Sequence, residues 1–236
     1  MQILEHSIFG LRSARINLVS PQSDTVITLF PMVHVGEPDF YRRVYEDACG
    51  HDVVLIEGVK SPITTRVTSS YRWMLGSKRL NLSLQPRFPR TPAAGLRIVH
   101  ADLTASEFRA AWVRGPLWMR WLVYVAAPVV GLRRKLSATR RMLSERIAMD
   151  DQPSQKELVN WSPEAAALSG AILDARDVRL IQRLEEELDH PGGAARRIAI
   201  VYGAMHMRAV LRSLTARERR YYAIASEWMT VWAADQ

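Results

Sequence analysis

The chain has 236 residues, of which 48% are hydrophobic and 24% charged, an ordinary balance for a globular protein with one large α/β domain, or one domain with an insertion. Its net charge of +8 is concentrated in one segment, because eight basic side chains between Arg114 and Arg146, opposed only by Glu145, carry +7 of it. The rest of the chain is close to neutral, so it lacks the general basicity typical of nucleic-acid-binding proteins. The single cysteine, Cys49, excludes an intrachain disulfide and fits a reducing compartment.

Short β-branched or alternating runs predict the strands of a sheet. The predicted strands lie, in chain order, at residues 4–19 (a pair), 25–33, 52–56, 96–102 and 198–202. A C-terminal stretch at residues 221–232 predicts a further strand pair or an edge element. Because the first residues lack a basic stretch followed by an apolar one, we expect no signal peptide and a cytoplasmic location.

Helices are predicted between these strands. The first runs from Pro38 to Cys49, since proline favours the first helical position and Gly50 follows the end. A long helix begins at Ser162, a capping residue, and stops at residues 190–193. A last helix follows the strand at residues 198–202. Strands that alternate with helices predict a single α/β domain over residues 1–236, with a mostly parallel central sheet flanked by helices.

Residues 61–161 are less regular and are predicted to form a helical, basic insertion. Its apolar run at residues 121–132 would span about 18 Å as a helix, short of the roughly 30 Å of a bilayer core, so a simple transmembrane helix is not expected. Aromatic and arginine side chains at residues 112–146 leave two interpretations open. The segment is a lid over the site, or it contacts an anionic membrane surface on the cytoplasmic side.

Polar side chains follow four of the predicted buried strands. These residues are His34, Glu57, Asp102 and His206. The carboxyl ends of parallel strands lie along one edge of a sheet, so the four side chains are expected to converge. Two imidazoles and a carboxylate suit a divalent metal. The same set could work without metal, with Glu57 as general base and the histidines as proton-transfer or hydrogen-bonding groups.

The surroundings of these residues support a site at this edge. Glu57 follows four apolar residues, so its carboxylate must be paired or metal-bound unless it is protonated. Gly203 permits a sharp turn before His206, and the positive end of the following helix favours a neutral imidazole. Arg176, on the long helix, could turn toward the site and bind a carboxylate or an oxyanion.

The motifs Gly203-Ala204-Met205-His206, Glu57 at a strand end and Arg176-Asp177 on a late helix occur in a recognisable order. They resemble the TraB/PrgY family and its relatives, the Tiki-type metalloproteases and the GumN-like, EreA-like and ChaN-like proteins. The family pattern has Arg-Asn where this chain has Arg-Asp. It also has glycine where Pro31 precedes His34.

The resemblance implies a Tiki/EreA-like sheet and metal-dependent hydrolysis, with proteolysis as one form of it. The metal, Mn²⁺, Co²⁺ or Zn²⁺, would be held by His34, Glu57 and His206. Asp102 and Gly203 are predicted to contribute to this cofactor site.

Two functions follow as hypotheses. In the first, the protein is a metal-dependent hydrolase of a peptide or small molecule. Glu57 then activates water, while the histidines and Arg176 hold the metal or polarise the substrate. In the second, the protein is a non-catalytic binding or regulatory protein. It would use the same cleft to sequester a peptide, haem or a metal, with the insertion docked on a membrane.

Overall fold

The computed structural model describes residues 2–58, 75, 81–89, 95–113, 117, 139–147, 163–189, 196–218 and 220–234. Within them the chain forms a mixed α/β fold whose central sheet is mostly parallel. The predicted fold class is therefore confirmed at this level. The expectation of a Tiki/EreA-like fold stays a prediction.

Nine strands are present in the described residues. They are β1 Leu4–Ser7, β2 Gly10–Ser20, β3 Ser23–Met32, β4 Val35–Gly36, β5 Val53–Ile56, β6 Ser83–Leu84, β7 Arg97–His100, β8 Arg197–Gly203 and β9 Tyr222–Ala233. Each predicted strand has its counterpart here. The C-terminal stretch forms one long strand, β9, which agrees with the edge element and not with the strand pair.

Five helices accompany these strands in the part of the chain that the structure describes. They are α1 Pro38–Cys49, α2 Ala105–Val113, α3 Arg140–Ile147, α4 Pro163–Leu188 and α5 Met207–Ala216. Helix α1 has the predicted bounds. Its apolar residues at positions 40, 41, 44, 45 and 48 recur at helical spacing and are buried, so one face of α1 packs against the sheet.

The parallel part of the sheet has the strand order β3–β8–β5–β7. An antiparallel part extends it through β2, which has β9 along one edge and shares its other edge between β1 and β3. Strands β5 and β8 lie inside the sheet, and their central residues are fully buried because both faces are covered. This arrangement brings the carboxyl ends of β5, β7 and β8 to one edge.

The predicted insertion at residues 61–161 includes β7, an integral strand of the main sheet, as well as α2 and α3. Most of its basic and aromatic stretch, residues 118–138, lies outside the described residues. Both the lid and the membrane-contact interpretation therefore stay predictions. No helix in the described ranges is long and apolar enough to span a membrane.

His51, in the short connection between α1 and β5, is a buried histidine at the opposite, amino-terminal end of β5. Its Nε2 lies 2.9 Å from Thr28 Oγ1 and its Nδ1 lies 3.0 Å from the Asp47 carbonyl oxygen. Burial lowers the pKa of the imidazole and outweighs the opposing effect of Asp47. Folding therefore favours neutral His51, whereas the unfolded chain binds a proton below about pH 6.5.

We expect the protein to lose stability as the pH falls below about 6.5, because protonation of His51 favours the unfolded chain. Urea denaturation at pH 7.5 and 5.5 measures this loss. His51→Gln should reduce the loss, whereas His100→Gln, at an exposed position, should leave it as in the wild type. Equal pH dependence in wild type and His51→Gln would contradict this assignment.

Candidate functional site

The candidate site lies at the carboxyl-terminal edge of the parallel strands. The end of β5 lies between the ends of β7 and β8 and pairs in register with both. Glu57 follows β5, Asp102 follows β7 and Gly203 ends β8. Helix α4 adds Arg176 and Asp177, which are hydrogen-bonded to groups at this edge.

Arg176 joins the two strand-end carboxylates. Its Nε donates to Asp102 Oδ1 at 2.9 Å and its Nη2 donates to Asp102 Oδ2 at 2.8 Å, which makes a bidentate pair. The same Nη2 also donates to Glu57 Oε1. The Asp102 side chain is only 2% exposed and that of Arg176 only 18%, so water screens these charges weakly. The guanidinium therefore serves as the resident cation of the site.

Opposing effects act on the pKa of Asp102. Burial alone would raise it, but the hydrogen bonds and charge of Arg176, with the N–H groups of Leu103 and Gly58, hold it below its usual value. Burial would likewise lower the pKa of Arg176, but Asp102 and Glu57 outweigh burial and raise it. The Arg176–Asp102 pair therefore stays ionised at neutral pH.

Glu57 and His206 both pack against Gly203. The Gly203 N–H donates to Glu57 Oε2 at 2.7 Å. A Cβ at this position would stand 3.4 Å from His206 Cδ2, an ordinary packing distance, but only 3.1 Å from Glu57 Oε2. A larger residue here would therefore press on the Glu57 carboxylate, which would have to shift by a few tenths of an ångström.

His206 is held by a carboxylate from helix α4. It ends a short 3₁₀ turn, Ala204–His206, between β8 and α5, and its side chain is 3% exposed. Its Nδ1 lies 2.6 Å from Asp177 Oδ1. Because an ionised carboxylate only accepts hydrogen bonds, this contact assigns the proton to Nδ1 and leaves Nε2 as the basic nitrogen.

Tyr202 is a residue of this site that sequence reasoning missed. It is fully buried near the end of β8 and its ring stands edge to face with the His206 ring, with centroids 4.8 Å apart and planes at 88°. The Arg176 guanidinium carbon lies 5.6 Å from the same ring centroid. Burial raises the pKa of its hydroxyl. A large aromatic residue directly before Gly203 was the available signal.

His34 occupies a different environment from the other predicted residues. It follows β3, whose last residue, Met32, pairs with Gly203, so it lies along the same sheet edge. Its side chain is exposed, and its carbonyl oxygen accepts a hydrogen bond of 2.9 Å from the Gln85 N–H. The structure thus brings Glu57 together with Asp102, Arg176 and His206, whereas His34 lies along the same edge at an exposed position.

The described residues do not form the predicted three-ligand metal site. Among them, no group of three or more His, Cys, Asp or Glu side chains is arranged to hold a metal ion. Both Glu57 oxygens already accept hydrogen bonds, and His206 Nδ1 faces Asp177. Metal binding by His34, Glu57 and His206 accordingly stays a prediction.

Charge at the site is unbalanced. Among the described residues, Glu57, Asp102 and Asp177 present three carboxyl groups near one guanidinium, that of Arg176. An excess of acidic groups favours a cation at such a site.

Comparisons with protein-family models, with curated proteins and with solved structures find no match to this chain.

Proposed function

We propose that this protein is a hydrolase of a peptide or small-molecule ester or amide. The observation that carries the proposal is the Asp177–His206 pair, with Nδ1 and Oδ1 2.6 Å apart, beside the Glu57 carboxylate. A carboxylate that fixes the imidazole tautomer in this way produces an oriented base at Nε2. Two titratable groups on adjacent strand ends and a cation behind them are typical of catalytic sites.

His206 is better placed than Glu57 to take the proton from water. Glu57 already accepts hydrogen bonds from Arg176 and from the Gly203 N–H, so both of its carboxyl oxygens are engaged. In His206, Asp177 contacts Nδ1, so this hydrogen bond does not engage Nε2. We therefore assign proton removal to His206, and to Glu57 the orientation of the attacking water through its remaining lone pairs.

In this mechanism water attacks the carbonyl carbon while His206 Nε2 removes one of its protons. The resulting imidazolium is stabilised by Asp177. When the tetrahedral intermediate collapses, Nε2 returns the proton to the leaving oxygen or nitrogen and the neutral base is restored. Arg176 contacts Glu57 and Asp102, so it acts by holding the Glu57 side chain in a fixed position.

The TraB/PrgY resemblance supports a hydrolase on independent grounds, since its motif residues Glu57, Arg176 and His206 all lie at this one edge. A divalent metal would supply Lewis-acid polarisation of the carbonyl, and the acidic groups of the site favour a cation. Glu57 and His206, two of the predicted ligands, both pack against Gly203.

Non-catalytic binding is the second candidate. Each carboxyl oxygen of Glu57 and Asp102 already accepts a hydrogen bond, and this observation is in its favour, because a fixed ion-pair cluster also suits a binding site that does no chemistry. Turnover separates the two functions.

The test is hydrolysis of a panel of peptide, amide and ester substrates by the purified protein. We expect turnover by wild type and its loss in His206→Ala. Each assay is run with EDTA and with Mn²⁺, Co²⁺ or Zn²⁺. Stimulation by one metal would support the metal-dependent form, and activity in EDTA would support the metal-free form. No turnover under any condition would favour the binding protein.

A further inference from the structure

Tyr202 lies between the two halves of the site and has no assigned role in the chemistry. One half is the ion-pair cluster of Arg176 with Glu57 and Asp102, and the other is the Asp177–His206 pair. The Tyr202 ring lies close to both Arg176 and His206. Since it is fully buried, its position is fixed by packing at the end of β8.

The hydroxyl group does not explain these contacts. It is buried and makes no hydrogen bond of ordinary geometry with the described residues, although the Asp102 carboxylate is near enough to raise the pKa of the hydroxyl. A buried hydroxyl without a partner is unfavourable for the folded state. The ring, in contrast, has an edge-to-face geometry with His206 and a guanidinium over it, which are two favourable arrangements for an aromatic side chain.

Asp177 contacts the His206 imidazole at one atom only. The contact at Nδ1 sets the tautomer and, with the bond to Cβ, restrains rotation about χ2. The Tyr202 ring, with its plane at 88° to the imidazole and its centroid 4.8 Å away, adds a second restraint on the ring plane. Two contacts from different elements, α4 and β8, therefore define one orientation of Nε2.

We propose that Tyr202 is the positioning residue of His206, and that it acts through its ring and not through its hydroxyl. Its ring holds the imidazole plane, and the Arg176 cluster holds the ring. The expected effect of Tyr202 on turnover rests on the proposed hydrolase function. Its expected effect on the orientation of the His206 imidazole does not.

The experiment compares Tyr202→Phe, which removes only the hydroxyl, with Tyr202→Leu, which removes the ring. We expect the ¹⁵N signals of the His206 imidazole to remain single and unshifted in Tyr202→Phe, and to broaden or split in Tyr202→Leu. The kcat/KM on any substrate found should stay within about twofold in Tyr202→Phe and fall about tenfold or more in Tyr202→Leu, mainly through kcat.

Two results would overturn the proposal. Wild-type imidazole signals in Tyr202→Leu would show that the ring does not hold His206. Equal losses in both variants would assign the effect to the hydroxyl. If circular dichroism shows that Tyr202→Leu does not fold, the test is made on the wild type. Nuclear Overhauser effects between the Tyr202 and His206 rings, together with one set of imidazole signals, would support the proposal. The absence of these effects would overturn it.

The two readouts separate this inference from the proposed function. If no substrate is turned over but the imidazole signals respond as expected, the hydrolase proposal fails and the positioning role stands. If turnover is found but neither variant changes it or the imidazole signals, the hydrolase proposal stands and the positioning role fails.

Discussion

Replacing Arg176 with methionine should destabilise the protein by about 3–5 kcal/mol, the usual effect of removing one partner from a buried ion pair. Methionine keeps the packing volume of the side chain but leaves the Glu57 and Asp102 carboxylates without their shared cation. Urea denaturation at pH 7.5 measures the change in the free energy of unfolding.

The matched control is Arg179→Met, one turn further along α4. Arg179 pairs with Glu107, whose side chain is 40% exposed, so solvent screens this ion pair. We expect its loss to cost no more than about 1 kcal/mol. Similar losses in the two variants would contradict the assignment of Arg176 as the resident cation of a buried cluster.

The pH dependence of Arg176→Met gives a second check. In the wild type, the lowered pKa of Asp102 contributes stability that is present above the unfolded-state pKa and is lost as the pH falls through the lower folded-state pKa. In Arg176→Met, the Asp102 carboxylate is buried without its cation, and burial then favours its protonated form. The stability difference between the two proteins should therefore narrow as the pH is lowered toward 4.

Asp177→Asn should lower kcat by about 10²–10⁴-fold with little change in fold, which is the range that general acid–base catalysis contributes. An asparagine amide can present its N–H₂ to His206 Nδ1, which would move the proton to Nε2 and remove the base. The measurement is steady-state kinetics on the best substrate of the panel.

Asp174→Asn is the control for charge. Asp174 lies one turn earlier on α4 and is exposed, so its substitution removes the same charge without touching His206. Its kcat should stay within about twofold of the wild type, as expected for a surface substitution remote from the reacting atoms. A comparable fall in both variants would mean that net charge, and not the tautomer of His206, controls the rate.

Much of the fold is predictable from local pattern. Short β-branched runs mark β5, β7 and β8, and proline and glycine mark the ends of α1, because these signals act within a few residues. The approach of Glu57 to Asp102 was expected from the same strands, since parallel strands end at a common edge.

The contacts that define the site were less predictable. Arg176 was expected to bind a carboxylate or an oxyanion, but not to hold two carboxylates at once, because that depends on how α4 crosses the sheet. The packing of Tyr202 against His206 is likewise set by side-chain orientation at the end of β8. For His34, the sequence predicts a strand-end position but not its exposure, which depends on how the chain leaves β3.

Turnover by wild type and by His206→Ala, measured side by side with metal and with EDTA, tests the central claim most directly. The proposed mechanism predicts hydrolysis by the wild type and a loss of at least about 10²-fold in a His206→Ala protein that is folded by circular dichroism. A substrate hydrolysed equally well by both proteins would contradict the claim that His206 is the catalytic base.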